Sequence, residues 1–226
     1  MTGLAIAMAA TAIAVLAAIV GIARTAARRA GVGVTRVTAT VAAALAGWLT
    51  VTGGLAASGV LRLDGGPPRV LLLPIIAIAA AGTALRSSTG RLLVAAAPRG
   101  AVVALQSFRV AVELVLWRLY VAGAIPIQMT FEGRNLDIVV GLTAVPIALA
   151  ARRYKRLALA WHVAGLLLLV NIVAIAIMST PGPLQVFTAE PANRIIGTFP
   201  FVWLPAVLVP VAALGHLVGL RQIVER

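Results

Sequence analysis

Cysteine is absent from the chain, which excludes a disulfide framework, a thiol nucleophile and any Cys-ligated metal or cluster. Charge is scarce as well. Only 11% of residues are Asp, Glu, Lys or Arg, against about a quarter in a soluble domain. Lysine is reduced to Lys155, which lies between apolar runs, so a retinal pigment held by a lysine inside a span is excluded. No Gly-x4-Gly-Lys-Ser/Thr phosphate loop and no His-Glu-x-x-His zinc-protease helix occurs. The two histidines also lack a Gly-x-Ser-x-Gly partner for serine hydrolysis. No metal site and no cofactor is expected, and enzyme activity is disfavoured.

What is present is apolar. Of 226 residues, 62% are hydrophobic, and the mean hydropathy is +1.06. That leaves too little polar surface to coat a water-soluble globule. The chain reads as an integral membrane protein, all-α, with residues 1–226 forming a single multi-pass domain.

A bilayer core needs about 20 mostly apolar residues per spanning helix. Seven segments meet or approach this: Gly3–Ala23, Val37–Leu61, Val70–Leu85, Ala101–Ala122, Leu136–Ala151, Leu157–Met178 and Phe199–Leu220. The third and fifth are short. Orientation follows from the Arg/Lys bias of the loops. Arg24, Arg28, Arg29 and Arg36 fall on one side, with Arg86, Arg91 and Arg99. The same side takes Arg152, Arg153, Lys155, Arg156, Arg221 and Arg226. The other side has Arg62, Arg69, Arg134 and Arg194, balanced by Asp64, Glu132, Asp137 and Glu190. Thirteen cations against four place the amino terminus outside and the carboxyl terminus in the cytoplasm. No cation precedes the first apolar run, so that run is expected to be a retained span, not a secretory leader.

The same partition accounts for the net charge of +13. A basic cytoplasmic face attracts anionic lipid headgroups, at about 1 kcal/mol per well-placed cation. Nucleic acid is not an expected partner; a second copy or a membrane partner protein is. Pro74, Pro146, Pro205 and Pro210 lie inside spans and free backbone carbonyls. Trp161 and Trp203 fall near opposite interfaces, whereas Trp48 and Trp117 lie deeper.

The fourth segment carries the most informative pattern. Gln106, Arg109, Glu113, Trp117 and Tyr120 recur at steps of three, four, four and three, which puts them on one helix face. Arg109 and Glu113 straddle mid-span, and their i,i+4 spacing predicts a pair on the same helix. Charges at that depth are costly and mark ion, substrate or proton sites. Arg118 lies off the stripe and can snorkel outward. The loop that follows contains Glu132, Gly133, Arg134, Asn135 and Asp137. It reads as an external turn with Glu132 facing Arg134, and with Asn135 or Asp137 capping the fifth helix. The other reading is a plug over the mouth of the bundle.

The run Gln106, Arg109, Glu113, then Thr130-Phe131-Glu132-Gly133-Arg134-Asn135-Leu136-Asp137, resembles an uncharacterised family of bacterial multi-pass inner-membrane proteins. Gly165-Leu166-Leu167-Leu168-Leu169-Val170-Asn171-Ile172-Val173 is similar in the same way. The resemblance covers roughly the second half of the chain. It implies a bacterial cytoplasmic membrane and carries no activity.

His162 and His216 are expected at similar depth near the inner interface. A haem held by both is one reading; two interfacial imidazoles bonded to backbone or water is the other. Asn171 sits mid-span in the sixth helix, suited to an interhelical hydrogen bond. The functional expectation is transport of a small solute, ion or proton, with the stripe lining the interior. The alternatives are a membrane sensor or assembly component, and a haem-binding electron carrier.

Overall fold

The computed structural model describes residues 1–63, 68–151, 153–188 and 190–225. Asp64, Arg152 and Arg226, which enter the charge count above, lie outside the described residues. The described chain is all-helical, without a strand. Its elements are α1 (Thr2–Ala30), α2 (Val34–Ala57), α3 (Leu72–Arg86), α4 (Ser88–Ala96), α5 (Arg99–Leu105), α6 (Phe108–Val121), α7 (Asp137–Ala150), α8 (Lys155–Met178) and α9 (Val209–Val224). A 3-10 turn, Arg69–Leu71, leads into α3, and a π-helical turn, Leu204–Leu208, leads into α9.

Six helical stretches are long and apolar enough to cross a membrane: Thr2–Ala30, Val34–Ala57, Arg69–Arg86, Arg99–Val121, Lys155–Met178 and Leu204–Val224. They coincide with six of the seven sequence segments. The seventh, α7, has 14 residues, a rise of about 21 Å against a hydrocarbon core of about 30 Å. Large apolar side chains such as Ile6, Leu149, Leu167 and Val170 are exposed on the outer surface. A water-soluble surface does not carry them at this density, whereas a lipid-facing one does.

The helix α4 was not anticipated. At nine residues it is too short to register as a span, and Ser87 starts it by accepting a hydrogen bond from the Gly90 N–H. It packs against α1 and α3. The hairpin of α1 and α2 turns at Gly31, whose left-handed φ of 66° ends α1 after Arg28 and Arg29. Those two cations complement the negative end of the helix dipole.

The core gathers around α6, with Met8, Ala12 and Val15 of α1 on one side. Leu169, Ile172 and Ile175 of α8 and residues 201–208 complete it. The last segment is locked to α2 by two indoles. Pro210 has no N–H to offer the Ala206 carbonyl one turn back, and Trp48 Nε1 donates to that oxygen at 2.8 Å. Trp203 Nε1 donates in turn to the Leu49 carbonyl at 3.1 Å. Trp203 is therefore a buried packing residue and not part of an interfacial belt. Pro74 stands in the first turn of α3, where a missing N–H costs no helix bond.

Candidate functional site

The fourth sequence segment is not one continuous helix. At Gln106 and Ser107 it tightens into i→i+3 bonds, Arg109 N to Gln106 O at 3.2 Å and Val110 N to Ser107 O at 3.1 Å, before α6 begins. The offset turns Gln106 toward α9, where its Nε2 donates to the Ala212 carbonyl at 3.2 Å. Gln106, Arg109 and Glu113 are all fully buried, as the stripe predicts.

The pairing within the stripe is different from the expected one. Arg109 does not form its ion pair with Glu113; its NH1 meets Asp137 Oδ1 at 3.0 Å. Glu113 Oε1 instead accepts from Asn135 Nδ2 at 2.7 Å, and that nitrogen also donates to the Met129 carbonyl at 3.1 Å. The reason is that α7 starts inside the bundle. The loop before it folds inward, burying Ile125, Met129, Thr130 and Asn135, and brings Asp137 down to Arg109. Asn171, exposed on α8, ties the loop there by donating to the Arg134 carbonyl at 2.9 Å.

The stretch folds partly inward: Thr130, Asn135 and Asp137 are buried, while Glu132, Gly133 and Arg134 stay exposed. Asn135 Oδ1 accepts the Asp137 N–H at 3.0 Å, supporting the first turn of α7, although Leu136 is the residue at the cap position. The positive end of the α7 dipole then faces Asp137 in the middle of the bundle. Glu132 and Arg134 do not pair. Glu132 accepts from Trp117 Nε1 at 2.9 Å, and Arg134 lies over the Phe187 ring at 5.6 Å. Trp117 also stacks on Phe131, and the exposed Arg118 sits 5.9 Å from the Trp117 ring. Tyr120 is half-buried against the core. Of the nine residues singled out by sequence, Gln106, Arg109, Glu113, Asn135 and Asp137 form the buried cluster. Trp117 and Glu132 form a separate clasp, and Tyr120 and Arg134 stand apart.

The histidines are buried inside the bundle and lie at the same level, as antiparallel neighbours should. His162 Nδ1 and His216 Nδ1 are 3.0 Å apart, in contact across α8 and α9. Two glycines make this approach possible. A Cβ at Gly165 would collide with the His216 ring, and one at Gly219 would collide with the His162 ring. Each histidine stands three residues before the glycine that receives its partner: His162-Val163-Ala164-Gly165 on α8 and His216-Leu217-Val218-Gly219 on α9. Antiparallel packing makes the two notches reciprocal. This repeated His-x-x-Gly is the signal that sequence reading passed over. A haem between the two imidazoles does not fit, because an iron bridging them would hold the rings apart on opposite faces of a porphyrin, whereas here they touch directly.

Gly165 also joins the two clusters. Its carbonyl lies 3.5 Å from Arg109 NH1 while its bare Cα admits His216. A cavity of about 200 Å³ lined by Arg99, Lys155 and Gln222 reaches His162, one member of the pair. Several buried atoms along the line have no hydrogen-bond partner among the described residues: His216 Nε2, Gln106 Oε1, Arg109 Nε and NH2, and Glu113 Oε2. Buried polar atoms left open in this way call for a water or a ligand.

At the opposite end of the molecule, the segment after α8 is clipped by Arg194, which donates to both oxygens of Glu190 at 2.8 and 3.0 Å. That guanidinium, with the Ala192 N–H, holds the Glu190 carboxyl below the usual carboxylate range.

The described residues form an all-helical protein with six helices long and apolar enough to cross a membrane and a buried charged cluster among them. The chain belongs to the family described as Domain of unknown function (DUF8737), which covers residues 68–224 and so contains both histidines and the whole Arg109 cluster. No curated protein and no solved structure matches the chain.

Proposed function

We propose that this protein sits in a bacterial cytoplasmic membrane, amino terminus outside, and moves protons, alone or with a small solute. The observation that carries the reading is the buried polar line from the basic cavity through His162 and His216 to Arg109, Asp137, Asn135 and Glu113. Histidine and carboxylate chains inside helical bundles are the means by which protons cross low-dielectric cores. Each imidazole has two nitrogens, so a proton arriving on one ring's far nitrogen can be matched by one leaving through the shared Nδ1 contact. Between His216 and Asp137, a bridging water would use the open His216 Nε2. Arg109 positions the Asp137 carboxyl group toward the line. The α7 amino terminus, aimed into the core, resembles the broken helices that face ions in transporters. Thirteen cations on the inner face fit anionic headgroups.

The test is proton uptake into liposomes holding the purified protein, driven by a potassium-valinomycin potential and read by an internal pH dye. Wild type should exceed protein-free liposomes by at least tenfold. Asp137→Asn, which keeps shape but loses the carboxylate, should fall to the protein-free rate. Equal rates for wild type and empty liposomes would reject proton movement and favour a sensor or assembly role for the cluster.

A further inference from the structure

A second, larger cavity of about 660 Å³ lies between α3, α6, α8 and the π-helical turn. Its volume falls in the range of small-molecule sites, about 300–1,000 Å³. Its walls are Ile75 and Ile78 of α3, Val112 and Leu116 of α6, and Leu169 and Val173 of α8. Ile75, Val170 and Leu184 line it and are also exposed, so its mouth opens on the outer apolar surface. Arg109, Glu113 and Asp137 are the only ionisable residues among those lining it.

The open atoms on those side chains call for a compact head group that both accepts and donates. Arg109 Nε and NH2 are donors without a partner among the described residues, and Glu113 Oε2 is an acceptor without one. Both residues are at least 98% buried. A hydroxyl carries one donor hydrogen and two acceptor lone pairs, so a single hydroxyl answers all three. A carboxylate or phosphate head has no hydrogen for Glu113 and adds a negative charge beside two carboxylates. An ammonium head has nothing to offer Arg109. An aldehyde or a hydrocarbon leaves Glu113 or everything unsatisfied, which is costly in a dry site.

We propose that this cavity binds one long-chain alcohol, its hydroxyl between Arg109 and Glu113 and its chain running toward Ile75 and Val170. The site shares Arg109 and Glu113 with the polar line above, but binding is read without flux, so absent flux would leave it standing. Straight-chain and isoprenoid alcohols share this chemistry, so both are tested.

The experiment is native mass spectrometry of the detergent-solubilised full chain with hexadecanol, geranylgeraniol, palmitic acid and hexadecane as separate probes. The result expected is a one-to-one adduct with at least one alcohol, at least tenfold tighter than with palmitic acid or hexadecane. The tighter alcohol then identifies the chain type. Val173→Trp fills the cavity away from the polar cluster and should abolish the adduct while leaving the melting temperature near wild type. Hexadecane binding as well as hexadecanol, palmitic acid binding best, or an undiminished adduct in Val173→Trp would each overturn the proposal.

Discussion

Arg109→Leu should be among the most destabilising single changes in the molecule, and adding Asp137→Leu should restore most of the loss. Arg109 is fully buried and holds Asp137 at 3.0 Å, with Glu113 one turn away on the same helix. Removing the cation leaves two carboxylates facing one apolar cavity. Breaking a buried pair on one side costs about 3–5 kcal/mol in soluble proteins, whereas replacing both partners by apolar groups is often close to neutral. Thermal unfolding in detergent separates the cases: a large drop for Arg109→Leu, a similar drop for Asp137→Leu, and recovery in the double variant. Arg109→Leu with Glu113→Leu should recover less, since Asp137 would remain without its guanidinium. If that second double variant were the more stable, the intrahelical pair would be the true one.

Gly165→Leu should abolish proton movement and lower stability together. Its side chain would occupy the space of the His216 ring, which cannot retreat because α8 and α9 are packed along this seam. Overpacking of this kind costs about 1–3 kcal/mol. The loss of flux should be at least tenfold because the Nδ1 contact is broken. Gly165→Leu combined with His216→Ala relieves the crowding. That variant should regain stability and stay inactive, which a packing role for the histidines alone would not produce. Recovery of flux in the double variant would show that the imidazole pair is not on the path.

Much of this arrangement was legible in the sequence, and the rest failed for identifiable reasons. The spans could be read because apolar length is a local property, and the short segment Leu136–Ala151 appears as the 14-residue α7. The burial of Gln106, Arg109 and Glu113 followed from helical spacing. The partner of Arg109 did not, because Asp137 lies 28 positions away and reaches it only through the inward fold of the loop. Spacing rules see i,i+4 neighbours and not the inward fold of a loop. The loop itself is polar enough to look external, and its inward course depends on tertiary bonds from Asn135 and Asn171. The histidines' common level was legible, and their direct contact was not. Helix ends and antiparallel order give the shared level, but only the His-x-x-Gly repeat on the two helices encodes the direct ring contact.

The relay rests on the contact between His162 Nδ1 and His216 Nδ1, and nitrogen-15 NMR of histidine-labelled protein in lipid addresses it directly. One Nδ1 should appear protonated and the other bare, with a coupling between the two nitrogens through the shared hydrogen, and the signal should vanish in Gly165→Leu. Two bare Nδ1 atoms with no coupling would contradict the account.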